Sequence, residues 1–248
     1  MFFTRRLLEF LDRVTKPVVD LFEKIEITVA GERWWIVGPK GSGKTVLHLL
    51  LSGEPVSDTS YQMTGIDERT GSGIARAGNK TIRHKATQDY GGEFLESWEN
   101  GVRDHQRFVF VYSLTDIDGS SCYKLNEQAT RPAERFALDK NDLLYENILN
   151  AFVLAINIIS DNFAQGDSLP TNKRKLLVVC NKTDLWPAGA RPQFFQPYQQ
   201  MVTEMKYEVK ALKLEESTNF KVMYEACSFI ALPRTRFDAI MSRFLDKV

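Results

Sequence analysis

The chain has 248 residues, 43% hydrophobic and 26% charged, enough for one large α/β domain with a sizeable core. Lysine plus arginine and aspartate plus glutamate balance at 32 each, so no global field draws the chain to nucleic acid, and a nucleic-acid partner is not expected. The three cysteines, Cys122, Cys180 and Cys227, stand far apart without Cys/His spacing for zinc, which predicts reduced thiols in a cytoplasmic protein.

Residues 2–14 read as an amphipathic helix, with Phe3, Leu7, Phe10, Leu11 and Val14 on one face and Arg6, Glu9, Asp12 and Arg13 elsewhere. Those charges, with Arg5, also interrupt the apolar start and argue against a signal peptide. The longest apolar runs are expected to fall short of the ~20 residues that a membrane helix needs. Residues 1–31 form an N-terminal helical extension in this reading, packing on the domain at 32–248 in preference to a membrane, so peripheral membrane contact is the minority outcome.

Trp34–Val37 is a short apolar strand ended by the glycine-rich Gly38–Thr45, and a helix follows through Val46–Leu51 to stop at Gly53. Residues 54–71, rich in Ser, Asp, Thr and Gly, predict a mobile loop. Gly78-Asn79 predicts a hairpin turn between Ile74–Ala77 and Thr81–Gln88. Phe108–Tyr112 is a buried strand, Asp118–Lys140 a polar surface insertion, and Leu143–Phe163 a helix. Leu176–Cys180 is a second buried strand, Gln193–Leu214 a helix, Lys221–Ala226 a last strand and Pro233–Leu245 a terminal helix. Continuous apolar strands alternating with helices predict a mainly parallel sheet covered on both faces, a three-layer α/β/α domain.

Gly38-Pro39-Lys40-Gly41-Ser42-Gly43-Lys44-Thr45 fits GxxxxGK[ST] between a predicted strand and helix. That context wraps backbone N–H groups around phosphates at a helix N-terminus. Gly38, Gly41 and Gly43 permit the curvature, Lys44 reaches the β- and γ-phosphates, and the Thr45 hydroxyl ligates Mg²⁺. Asn181-Lys182-Thr183-Asp184 follows a buried strand and selects the base. A carboxylate at Asp184 accepts from guanine N1–H and N2–H₂, whereas adenine would leave it unpaired. Asn181 binds the base near N7 and ties this loop to the phosphate loop, while the Lys182 stem lies over the ring.

With both motifs in order, the chain resembles the Ras-like small GTPases, the group with Ras, Rab and Arf, over roughly residues 32–247. The resemblance implies about six mostly parallel strands. It also implies that Asp89-Tyr90-Gly91-Gly92 is the metal motif, with Asp89 holding Mg²⁺ through water and the Gly92 N–H meeting the γ-phosphate. The switch threonine is Thr70 or Thr64, with Thr70 preferred. After the last strand the Ser228 N–H would face guanine O6, with Phe229 where relatives carry lysine; simple strand-end packing is the competing reading. Glu93 stands where many relatives carry a water-positioning glutamine, and Lys40 where Ras and Rab members commonly have glycine. Each is either part of the chemistry or a solvated loop residue.

The expected activity is slow Mg²⁺-dependent GTP hydrolysis coupled to rearrangement around residues 61–73 and 89–100, with Lys44, Gly92 and Glu93 at the reacting phosphate. GTP and GDP are the expected ligands, and protein effectors or regulators are expected at the switch loops. A nucleotide-loaded scaffold without significant hydrolysis is the alternative, kept open by Glu93.

Overall fold

Trp34, Trp35, Ile36 and Val37 are all fully buried, and in a strand that requires cover on both sides. The computed structural model describes residues 32–52, 69–77, 80–89, 98, 107–116, 135–137, 141–164, 174–187, 189–214, 220–229 and 234–245, and these supply the cover. In chain order the elements are β1 (Glu32–Val37), α1 (Lys44–Ser52), β2 (Arg69–Ala77), β3 (Lys80–Asp89), β4 (Arg107–Tyr112), β5 (Thr115–Asp116) and β6 (Arg135–Phe136). There follow α2 (Leu143–Ala164), β7 (Arg174–Cys180), α3 (Gln196–Ala211), β8 (Phe220–Ala226) and α4 (Arg234–Leu245). The expected N-terminal helix lies outside the described residues.

Six strands form one sheet in the order β2-β3-β1-β4-β7-β8. Every neighbouring pair is parallel except β2 with β3. Strand alternation sends Trp34 and Ile36 to one layer, with Val46, Leu47 and Leu51 of α1 and Phe237, Ile240 and Phe244 of α4. Trp35 and Val37 go to the other, with Ile148, Phe152 and Ile159 of α2 and Met201, Met205 and Val209 of α3. Trp34 meets Phe244 edge-on at 5.6 Å, and Trp35 meets Trp98 at 6.2 Å. Two adjacent tryptophans thus nail opposite layers to one strand, each burial contributing about 2–3 kcal/mol.

Charge closes the far end of the sheet. The buried Lys175 donates to the Phe244 carbonyl at 2.9 Å, placing an ammonium on the negative C-terminal end of α4.

Three sequence expectations change. Arg69–Gly71, placed in a loop by composition, belong to β2, because an edge strand needs only one paired side and tolerates polar residues. The 118–140 insertion is not irregular throughout: Arg135–Phe136 pair antiparallel with Thr115–Asp116, and the Ala137 N–H donates to the Leu114 carbonyl at 2.9 Å. Residues 118–134 and 138–140 lie outside the described residues. One stretch does reach membrane length: Leu143–Asn162 in α2 is 20 residues long and apolar enough by composition. Its apolar run faces the sheet, with Tyr145, Ile148, Phe152, Ile156 and Ile159 buried and Glu146, Asn147, Asn150 and Asp161 exposed, the pattern of a core-covering helix.

Parallel pairing points the C-terminal ends of β1, β3, β4, β7 and β8 the same way. The chain leaves β1 toward β2 and β3 on one side, but leaves β4 toward β7 and β8 on the other. Ligands in open α/β sheets bind outside such a divergence.

Candidate functional site

The first loop at that edge is Gly38–Gly43. Gly38 has φ +149°, and a Cβ there would stand 1.9 Å from the Val111 carbonyl oxygen of β4. Only glycine lets the loop leave β1 so close to its neighbour. The Ser42 N–H donates to the Pro39 carbonyl at 3.3 Å, and the Leu47 N–H to the Gly43 carbonyl at 3.1 Å, so the turn runs straight into α1. Lys44 is buried, and its ammonium donates at 3.0 Å to both the Gly38 and the Pro39 carbonyls. The side chain curls back along the loop and carries its charge to the concave side on which the α1 N-terminus opens. Thr45 is buried one residue further on, and Lys40 and Gly41 are exposed at the loop tip.

The second loop begins at Asn181, whose N–H donates to the Tyr112 carbonyl at 2.8 Å. Its buried side chain makes a clamp: Nδ2 donates to the Ser42 carbonyl and Oδ1 accepts from the Phe229 N–H, both at 2.9 Å. A Cβ on Gly43 (φ +101°) would lie 2.2 Å from that same Nδ2. The phosphate-loop tie expected of Asn181 is present, and its second tie, to the loop after β8, was not expected. Lys182 takes a left-handed backbone at φ 62° and leads into a 3-10 turn over Thr183–Leu185 that leaves Asp184 exposed. The Thr183 N–H reaches the Cys227 carbonyl at 3.3 Å, and the Cys227 N–H reaches the Cys180 carbonyl at 2.9 Å.

Ser228 and Phe229 are both buried. The Phe229 ring joins Val46 and Leu47 of α1 in the core, so this residue packs beneath the phosphate loop and its N–H is taken by Asn181. Burial pushes the Cys227 thiol up to about 12, and pushes the Cys180 thiol and the Tyr112 hydroxyl well above their usual ranges. These groups stay neutral and act as packing beneath the loops.

Asp89 ends β3 in register with Ile36, one residue before β1 gives way to the phosphate loop. Thr70 sits in β2 opposite Gln88, beside the Arg69–Asp89 pair, so it is held in a ladder and not in a free loop. Gly92, Glu93 and Thr64 lie outside the described residues. For Mg²⁺, the buried Thr45 at the start of α1 offers a hydroxyl, and Asp89 is a carboxylate residue whose backbone stands at the end of β3, in register with Ile36 of β1. A hydroxyl and a carboxylate are oxygen donors of the kind that would suit Mg²⁺. The sequence reading missed Trp186, two residues beyond Asp184, which stacks on Phe195 at 4.4 Å. Its signal was an aromatic immediately after the NKTD-Leu run.

No protein-family profile matches the chain, and no curated protein matches it in sequence. Solved structures do resemble it. A chain of the SRb-GTP/SRX complex of the signal recognition particle receptor from Chaetomium thermophilum superposes with a TM-score of 0.54 at 12% identity, over 87% of this chain and 99% of that one. The Arl6 (BBS3) small GTPase of Trypanosoma brucei, with the analogue GppNp bound, gives 0.49 at 14% identity, over 86% and 96%. The fold is that of the Ras-like small GTPases, an assignment resting on the first of these likenesses and on the strand order.

Proposed function

We propose that the chain binds guanine nucleotide with Mg²⁺ and hydrolyses GTP slowly, serving as a conformational switch. The observation that carries this reading is the Asn181 clamp, which fastens a base-selecting loop to a glycine-built phosphate loop through one side chain. Phosphates lie against the N-terminus of α1, with Lys44 supplying positive charge beside them. Thr45 and Asp89 would hold Mg²⁺, which would supply positive charge to offset that of the phosphates. The Asp184 carboxylate accepts from the two donors on the guanine edge, and its exposure leaves it open to do so.

Hydrolysis is slow in this reading because Glu93 replaces a neutral water-positioning amide. Glutamate cannot donate to the γ-phosphate, and its charge opposes the one that accumulates there. The exposed Lys40 at the loop tip supplies part of the missing positive charge. Single-turnover hydrolysis at saturating Mg²⁺ should show a modest gain for Glu93→Gln and a loss for Lys40→Ala. Fast wild-type turnover that falls in Glu93→Gln would make Glu93 a working base instead.

Base choice is the primary test. Asp184→Asn should lose about 2–5 kcal/mol of GTP binding and gain affinity for xanthosine triphosphate, whose ring carries an oxygen where guanine carries its amine. Calorimetric titration of both nucleotides measures this, and unchanged GTP affinity in the variant would end the assignment.

A further inference from the structure

Asp184 rides on a single 3-10 turn, Thr183–Leu185, none of whose residues is buried and which has no side-chain cap. Packing within the turn therefore does not set the position of the carboxylate. Upstream the loop is pinned by the Asn181 clamp and by the Thr183 N–H on the Cys227 carbonyl. Downstream the turn ends on Trp186, whose N–H donates to the Thr183 carbonyl at 3.2 Å. Its ring is 6% exposed, stacks on Phe195 at 4.4 Å with 29° between planes, and meets Tyr198 at 5.8 Å. Asp184 is the middle of a short span held at both ends.

Two local rules are broken at that downstream anchor. Phe195 occupies the N-cap of α3, where Ser, Thr, Asp or Asn would satisfy an open N–H, and it makes no side-chain cap bond. The Trp186 indole nitrogen is buried without a hydrogen-bond partner among the described residues. A cap and an indole hydrogen bond are both forgone at one contact, and what that contact delivers is a fixed end for the turn bearing Asp184.

We propose that the Trp186–Phe195 stack fixes the Asp184 carboxylate in register with the guanine edge, so that Trp186 is a specificity-determining positioning residue. The proposal rests on the guanine reading above. A carboxylate that must accept from N1–H and N2–H₂ at once is sensitive to displacement, because a small shift keeps one bond and loses the other. Contacts to the phosphates do not pass through this turn and are untouched by the shift.

The test compares binding of GTP, inosine triphosphate and ATP to wild type, Trp186→Ala, Trp186→Phe and Phe195→Leu, with a melting curve for each. Inosine keeps N1–H and lacks the 2-amine, so the ratio of GTP to inosine triphosphate affinity reads the second bond alone. Trp186→Ala should weaken GTP by about tenfold and inosine triphosphate by only about twofold, so the ratio falls by about fivefold. Trp186→Phe should restore most of the ratio, and Phe195→Leu should lower it in between. If GTP and inosine triphosphate weaken together in Trp186→Ala, Trp186 is only packing and the proposal fails. Should that variant not fold, an unchanged ratio in Phe195→Leu overturns it equally. A wild type that does not prefer GTP to ATP sinks the guanine reading itself, a different and separately visible failure.

Discussion

Residues 38–45 and residues 181–186 are joined by the hydrogen bond from Asn181 Nδ2 to the Ser42 carbonyl, yet they hold their shapes by unrelated means. The phosphate half is local: glycines with positive φ, a helix start, and a lysine donating to carbonyls five and six residues back. The base half is assembled from a distance, since the two partners of Asn181 lie 139 and 48 positions away. A local motif carries its geometry wherever the chain places it. The base half exists only because β4, β7 and β8 end side by side, so it can be loosened by residues that touch no ligand.

The largest effect that separates the two halves is expected from Gly38→Ala. Its Cβ would meet the Val111 carbonyl at 1.9 Å, and backbone on both sides leaves nothing to move aside cheaply. Destabilisation of about 4 kcal/mol or more, read by urea unfolding, is expected together with loss of all nucleotide binding. Lys44→Ala comes next: it should weaken every triphosphate by about 3 kcal/mol with no change in base preference. A base-selective loss there would erase the distinction between the halves.

Asn181→Ala should remove about 2–3 kcal/mol of stability by leaving the Ser42 carbonyl and the Phe229 N–H unpaired. Gly43→Ala alone crowds Asn181 Nδ2, so the double variant should cost less than the sum of the two by about 1 kcal/mol. Strict additivity would show that the halves are not coupled through this contact. Smallest is a difference in reactivity. With their thiols raised by burial, Cys180 and Cys227 carry little thiolate at pH 8, below both raised values, and become reactive only as pH climbs toward them. Thiol titration should therefore find both unreactive in the native protein and both reactive after denaturation. Rapid native labelling of either would mean that the floor beneath the base loop opens.

Both halves could be found in the sequence, but not equally well. The glycine-built turn of Gly38–Thr45 between a strand and a helix was legible because its pattern is written in consecutive residues. Of the base half, Asn181 and Asp184 stand out in the sequence and a tie from Asn181 to the Gly38–Thr45 loop was expected, whereas its bond to Phe229 and the Trp186–Phe195 stack were not. A stack between residues nine apart across a run of turns has no periodicity to betray it. The strands at the sheet centre were read within one or two residues because burial on both faces makes them continuously apolar. The edge strand β2 was shortened in the reading because it lacks that signature; the helix α2 was read, but not that its composition reaches membrane length, because polar residues interrupt its apolar runs.

The Asn181 clamp also orders events during synthesis. When Asn181 is added to the growing chain, the N–H it must capture is still 48 residues away. At ribosomal rates of about 5–20 residues per second, that gap lasts roughly 2–10 s on every round. During it the chain already contains Gly38–Thr45 and Val111 but not yet the Phe229 N–H that completes the clamp. On the guanine reading proposed above, a nucleotide met in that interval would be gripped by its phosphates alone, and discrimination among bases would begin only once β8 docks along β7.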